Sequence, residues 1–170
     1  MAVTFDKITT VTVGSSGSST ISFTSIPSTY TDLCLLGSMR GDAAYNYTDV
    51  KVEFNGVTTG YSRITLYGDG TSVGSGSDST ARFTSTNLAT STSSTFSNIY
   101  LYIPNYTSSN YKAISSDTSV ENNSASNNLN MAVSGLWSNT ASISSITLTP
   151  LTGGNFVQYS IVTLYGISKS

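Results

Sequence analysis

Between Ser97 and Tyr106 the chain reads Ser-Asn-Ile-Tyr-Leu-Tyr-Ile-Pro-Asn-Tyr. In an extended chain Ile99, Leu101 and Ile103 fall on one side and Tyr100 and Tyr102 on the other. Pro104, with no N–H to give a ladder, ends the run. This is the period of a strand and not of a helix. The run predicts a strand buried on both faces, its aliphatic side under a second sheet and its phenols packed against something else. The rest of the chain has to supply that second sheet.

It offers many short candidates. Thr4 to Val13 and Thr20 to Thr24 alternate around Gly14-Ser-Ser-Gly-Ser-Ser19 and predict a hairpin. Thr31 to Met39 is nearly continuous in apolar residues and predicts a central strand. Tyr47 to Phe54 turns Val50, Val52 and Phe54 inward and leaves Asp49, Lys51 and Glu53 on a wet face. Asn55-Gly56 marks a turn before a strand from Tyr61 to Tyr67. The Gly/Ser/Asp stretch Gly68 to Ser79 predicts a loop. Thr80 to Thr95 predicts loop with at most one short strand, anchored by Phe83 and Leu88. Strands follow at Tyr111 to Ser115 and Leu129 to Trp137, separated by an Asn/Ser loop from Asp117 to Asn128. Ser142 to Leu148 and Asn155 to Ile167 close the chain around Pro150-Leu-Thr-Gly-Gly154.

No segment shows the i, i+3, i+4, i+7 spacing of an amphipathic helix. The reading is therefore all-β: a single antiparallel β-sandwich domain over residues 1–170, jelly-roll-like, of about eight to ten strands. Its expected core includes Ile99, Leu101, Ile103, Val133, Trp137, Ile146, Leu148, Val162 and Leu164. One echo stands out, since Ile64-Thr-Leu-Tyr-Gly68 and Val162-Thr-Leu-Tyr-Gly166 agree at four of five positions. It is too short to be a repeat.

Composition limits function. Charged residues make up 9% of the chain against about 25% in ordinary soluble proteins, and Ser, Thr, Asn and Gly replace them. Eleven tyrosines and a 38% hydrophobic fraction separate the chain from disordered Ser-rich sequences. The seven basic residues are scattered and the net charge is −2, so no footprint for nucleic acid is present. Histidine is absent, which excludes Ser-His-Asp and Cys-His catalysis and His-containing metal sites. The single cysteine, Cys34, sits in an apolar run and reads as a core residue. Neither a signal peptide nor a membrane span is expected, since Met-Ala-Val-Thr-Phe-Asp-Lys lacks the basic and apolar regions of a leader and no run reaches eighteen apolar residues.

What remains is weak as chemistry. Nine acidic residues leave a glycosidase-like carboxylate pair formally open, but Asp49 and Glu53 read as a solvated strand face. The oxygen-rich loop from Asp69 to Asp78 lacks the spacing of a twelve-residue calcium loop. Asn46-Tyr-Thr, Asn105-Tyr-Thr and Asn122-Asn-Ser match the glycosylation sequon without a secretory context. The tyrosines could stack on sugar faces in a cleft or form cross-strand and subunit contacts, and Tyr100, Tyr102 and Tyr106 are the interface candidates under the preferred second reading. No catalytic, metal or cofactor site is nominated, and no cofactor is expected.

Three stretches, Ile21 to Leu33, Ile99 to Tyr106, and Gly135 to Leu148 followed by Asn155 to Ile167, resemble virion structural proteins of tailed bacteriophages, especially those of marine and cyanobacterial hosts. The resemblance spans most of the chain and carries no site residue. It implies a non-enzymatic protein of the virion, assembled in the host cytoplasm, that decorates or cements the capsid through contacts with the major capsid protein or other virion proteins. It also implies a homo-oligomer, a trimer above all. The alternative within the same context is a tail-associated fibre or adhesin that binds host-surface glycans through the loops Gly68 to Ser79 and Asp117 to Asn128. Neither reading involves nucleic acid or a membrane.

Overall fold

The computed structural model describes residues 4–123 and 128–168. They form twelve strands and no helix: β1 (Thr4–Thr12), β2 (Ile21–Phe23), β3 (Asp32–Met39), β4 (Tyr47–Phe54), β5 (Tyr61–Gly68), β6 (Val73–Asp78), β7 (Arg82–Asn87), β8 (Ser97–Ile103), β9 (Lys112–Val120), β10 (Leu129–Trp137), β11 (Ile146–Pro150) and β12 (Ile161–Ser168). Eight of them make a large sheet in the order β1-β12-β3-β8-β9-β10-β5-β6, and four make a small one in the order β2-β11-β4-β7. Every pairing between neighbouring strands is antiparallel. The expected sandwich is there, with more strands than anticipated and with sheets of unequal width.

The core lies where the sheets overlap. Leu33 and Leu35 of β3, Ile99, Leu101 and Ile103 of β8, Val133 and Trp137 of β10, and Val162 and Leu164 of β12 project from the large sheet. Ile21 and Phe23 of β2, Val50, Val52 and Phe54 of β4, and Ile146 and Leu148 of β11 meet them from the small one. All of these side chains are buried, each worth about 1.5–3 kcal/mol relative to exposure. Trp137 packs parallel to Tyr61 at 6.1 Å and edge-on to Phe54 at 5.4 Å. It is the largest fully buried side chain.

Several elements differ from the sequence reading, each for a physical reason. β1 and β2 do not form a hairpin. β1 pairs with β12, while β2 pairs with β11 in the other sheet, so Gly14 to Ser19 is a crossing between layers in which Ser18 bridges Phe156. The stretch Gly68 to Ser79 contains a real strand, β6, whose glycines and serines give no hydrophobic period; its backbone pairs with β5. β9 runs to Val120, longer than Tyr111 to Ser115, so the following loop is shorter than expected and its residues 124–127 lie outside the described residues. β11 and β12 begin later than expected, at Ile146 and Ile161.

The strand at Ser97–Ile103 is not buried on both faces. Ile99, Leu101 and Ile103 are in the core, but Asn98 and Tyr100 are exposed and Tyr102 is half-buried. The strand covered on both sides is instead β7, from Phe83 to Asn87, most of it polar. It is an edge of the small sheet that lies over β8, β9 and β10. Its side chains find polar partners there, as in the bond between Thr84 and Thr118 hydroxyls at 2.6 Å. The large sheet extends beyond β7, and β5 and β6 form an overhang.

Candidate functional site

The outer face of the large sheet is continuous across all eight strands, because residues opposite one another in an antiparallel ladder share a face. One row runs Ser75, Leu66, Ala132, Asp117, Tyr100, Leu36, Thr163, Thr10 from β6 to β1. The next runs Ser77, Ile64, Ser134, Ser115, Tyr102, Cys34, Tyr165, Lys7. Among the described residues, Asp117 and Lys7 are the exposed charges on these rows. Ile64 and Leu66 are each 62% exposed, Tyr100 41%, and Val73 at the β6 edge 90%. Between the ridge of Ile64 and Leu66 and the ring of Tyr100, the small side chains of Ala132, Ser134 and Ser115 floor a groove of about 380 Å³.

The three tyrosines nominated as contacts separate. Tyr100 lies in this face, between Leu36 and Asp117 in register. Tyr102 lies in it too, but its hydroxyl donates to Asp32 Oδ2 at 2.7 Å. That bond, with burial adding to it, raises the phenol to about 12. Tyr106 is fully buried and its hydroxyl donates to the carbonyl of Pro27, so it is a core residue and not an interface residue. The turn after Pro104 carries its ring inward, which alternation along the preceding strand could not indicate. Cys34 is buried between Tyr102 and Tyr165 in register, and burial pushes its thiol up to about 11. It is inert as a nucleophile.

Charge is used internally. Arg63 on β5 donates from Nε to Asp78 Oδ2 at 3.1 Å, from Nη2 to Asp49 Oδ2 at 3.2 Å and from Nη1 to the Arg82 carbonyl at 2.6 Å. Arg82 closes the ring, with Nη2 at 2.6 Å from Asp78 Oδ2 and Nη1 at 3.3 Å from Asp49 Oδ2. Ser85 donates to the other Asp49 oxygen at 2.9 Å. The quartet ties β5 and β6 of the overhang to β4 and β7 of the small sheet. So Asp49 is more than part of a wet strand face. Burial, the largest single influence on Asp78, works to raise its carboxyl, but the Thr80 hydroxyl, Arg63 and Arg82 together hold it below its ordinary value. Such a group stays ionised and is no proton donor at neutral pH.

Two further cations are held by carbonyl oxygens. Arg40 at the end of β3 donates from Nη1 to Thr92 O and Thr95 O at 2.8 Å each and from Nη2 to Ser91 O at 3.1 Å. Lys112 donates from Nζ to Ser108 O at 2.8 Å and Asn110 O at 2.6 Å. Burial lowers the pKa of both.

Hydrophobicity along the sequence gave no signal for the inward row Tyr61, Arg63, Thr65, Tyr67 of β5. The alternation was visible, but Ile64 and Leu66 on the opposite phase look like the buried side. No known family model, curated protein or solved structure matches the chain.

Proposed function

We propose that this chain is a non-enzymatic structural protein of a phage virion, which decorates or cements the capsid by laying the outer face of its large sheet on the shell proteins. The observation that carries the reading is that face: continuous across eight strands, almost free of charge, and bearing Ile64, Leu66, Val73 and Tyr100 where a solitary protein gains nothing by exposing them. Eight strands about 4.8 Å apart, over some five residues of strand, give on the order of 600 Å² before side-chain relief is counted. That approaches the roughly 800 Å² per partner of a stable interface.

Complementarity selects the occupant. A face of hydroxyls, amides and aliphatics with a single central carboxylate, Asp117, suits a neutral protein surface and gives no purchase to a polyanion. The role needs occupancy and no chemistry: a protein that binds the assembled shell in preference to its free subunits stabilises the shell by mass action. The resemblance to virion proteins points the same way, with assembly in the host cytoplasm and self-association, in trimers, at the particle surface.

Copy number in purified particles, measured by quantitative mass spectrometry against the major capsid protein, tests this. A ratio near one per capsid subunit or per local three-fold supports it. A handful of copies per particle would move the chain to the tail, and absence from the particle would end the virion reading. Leu66→Glu, on an exposed position, should abolish binding to preformed shells without lowering the melting temperature.

A further inference from the structure

We propose that the overhang of the large sheet beyond β7 forms a binding cleft for a neutral sugar residue, on the inner side of β5 and β6. This goes beyond the assembly role, and it uses the opposite face of the sheet. The cleft measures about 360 Å³, within the range of small-ligand sites (roughly 300–1,000 Å³) and enough for about one or two sugar rings. Tyr47, Asp49, Arg63, Thr65, Tyr67 and Asp78 line it.

Two observations point to a ligand. Thr65 is 6% exposed and faces the cleft, yet its Oγ1 has no hydrogen-bond partner among the described residues. A buried hydroxyl is costly to leave unpaired; this Oγ1 is covered by its neighbours, and a ligand hydroxyl that displaces them as it enters the cleft would satisfy it. Second, the cleft is held open. Gly76 lies opposite Thr65 in the β5–β6 register, and a Cβ built on it meets nothing within 4 Å. The ring of Tyr67 lies against Gly74, 2.6 Å from where a Cβ would stand, so a larger residue there would displace the ring from the cleft wall.

The chemistry of the lining selects the class. Tyr47 and Tyr67 are partly exposed and offer ring faces to the C–H side of a pyranose. Asp49 and Asp78 can accept from sugar hydroxyls, while Arg63 and Thr65 can donate. Arg63 and Arg82 already balance Asp49 and Asp78, so among the described lining residues the uncompensated charge is that of Asp69, whose carboxylate already accepts from Thr71 and Ser72. Asp69 at the rim, held ionised by the backbone N–H groups of Ser72 and Thr71, opposes an anion. A neutral polyhydroxylated ring matches the donors, acceptors and ring faces of this lining.

Titration calorimetry of the full chain with maltose, cellobiose, lactose and mannobiose, and with sialyllactose as the charged control, tests the site. At least one neutral disaccharide should bind saturably and sialyllactose more weakly. Gly76→Leu, which fills the cleft, should abolish binding, and Thr65→Val, which keeps shape and removes the hydroxyl, should weaken it by up to about tenfold. Leu66→Glu on the outer face should leave sugar binding unchanged even where it abolishes shell binding. The site is overturned if no neutral disaccharide binds, if sialyllactose is preferred, or if both Gly76→Leu and Thr65→Val bind like the wild type. Should Gly76→Leu fail to fold, an unchanged affinity in Thr65→Val alone overturns it.

Discussion

Ile64-Thr-Leu-Tyr-Gly68 in β5 and Val162-Thr-Leu-Tyr-Gly166 in β12 differ by a single methylene, yet they stand in the same sheet facing opposite ways. In β12, Val162 and Leu164 are fully buried in the core; in β5, Ile64 and Leu66 face outward and Thr65 faces in. The period of a strand assigns residues to two faces but does not say which face is inside. What decides is the flank. Tyr61, four residues before Thr65, stacks on Trp137 and exchanges hydrogen bonds with Phe54 N and Val57 O, and Arg63 is clamped by Asp49 and Asp78. These inward anchors outweigh the burial of one isoleucine and one leucine. β12 carries no such anchor and lies between β1 and β3, where the register sets Leu164 beside Leu35.

Removing the anchor's partner should have the largest effect. Trp137→Ala is expected to cost about 3–5 kcal/mol in denaturant melts; a loss below about 1 kcal/mol would mean that stacking on Tyr61 does not hold β5 in phase. The matched leucines come next. Leu164→Ala should cost about 2–5 kcal/mol and Leu66→Ala no more than about 0.5 kcal/mol, with equal losses breaking the comparison.

The matched glycines should divide in the same way. A Cβ at Gly166 would lie 2.3 Å from atoms of the Tyr30 ring, one at Gly68 no closer than 3.8 Å to anything. Gly166→Ala should therefore cost about 1–3 kcal/mol and Gly68→Ala should fall within about 0.5 kcal/mol of neutral. The smallest effect is in acid. Asp78, whose folded pKa is depressed, contributes stability that is fully present above the ordinary carboxylate value of about 4 and is lost as pH falls below it through the folded value. Acid melts of Asp78→Asn should lack that part of the pH dependence, and an unchanged profile would show that the quartet does not stabilise the overhang.

Much of the fold was written in period-two alternation. Tyr47–Phe54 and Leu129–Trp137 begin and end where the pattern says, and the nine nominated core residues all lie in the buried cluster. β6 escaped because its ordering comes from backbone pairing, to which hydrophobicity is blind; β7 answers to the one short strand allowed within Thr80 to Thr95, but its burial on both faces, resting on hydroxyl bonds, was not legible. Tyr106 escaped for another reason: a turn, and not a strand, aims its ring. The cleft was hidden most thoroughly, since it depends on one sheet being wider than the other. Strand lengths and turn residues do not specify that difference.

Arg40 illustrates how such a chain shapes a segment with no pattern of its own. The stretch from Leu88 to Phe96 has no strand and little hydrophobic content, yet its carbonyls at Ala89, Ser91, Thr92 and Thr95 converge on one guanidinium. In effect the segment is a chelate whose cation is tethered to β3. Its closed form needs the end of β3 in place, and opening it exchanges the carbonyl acceptors of Arg40 for water. The order of a patternless loop is thereby tied to the end of a strand in the interior of the large sheet.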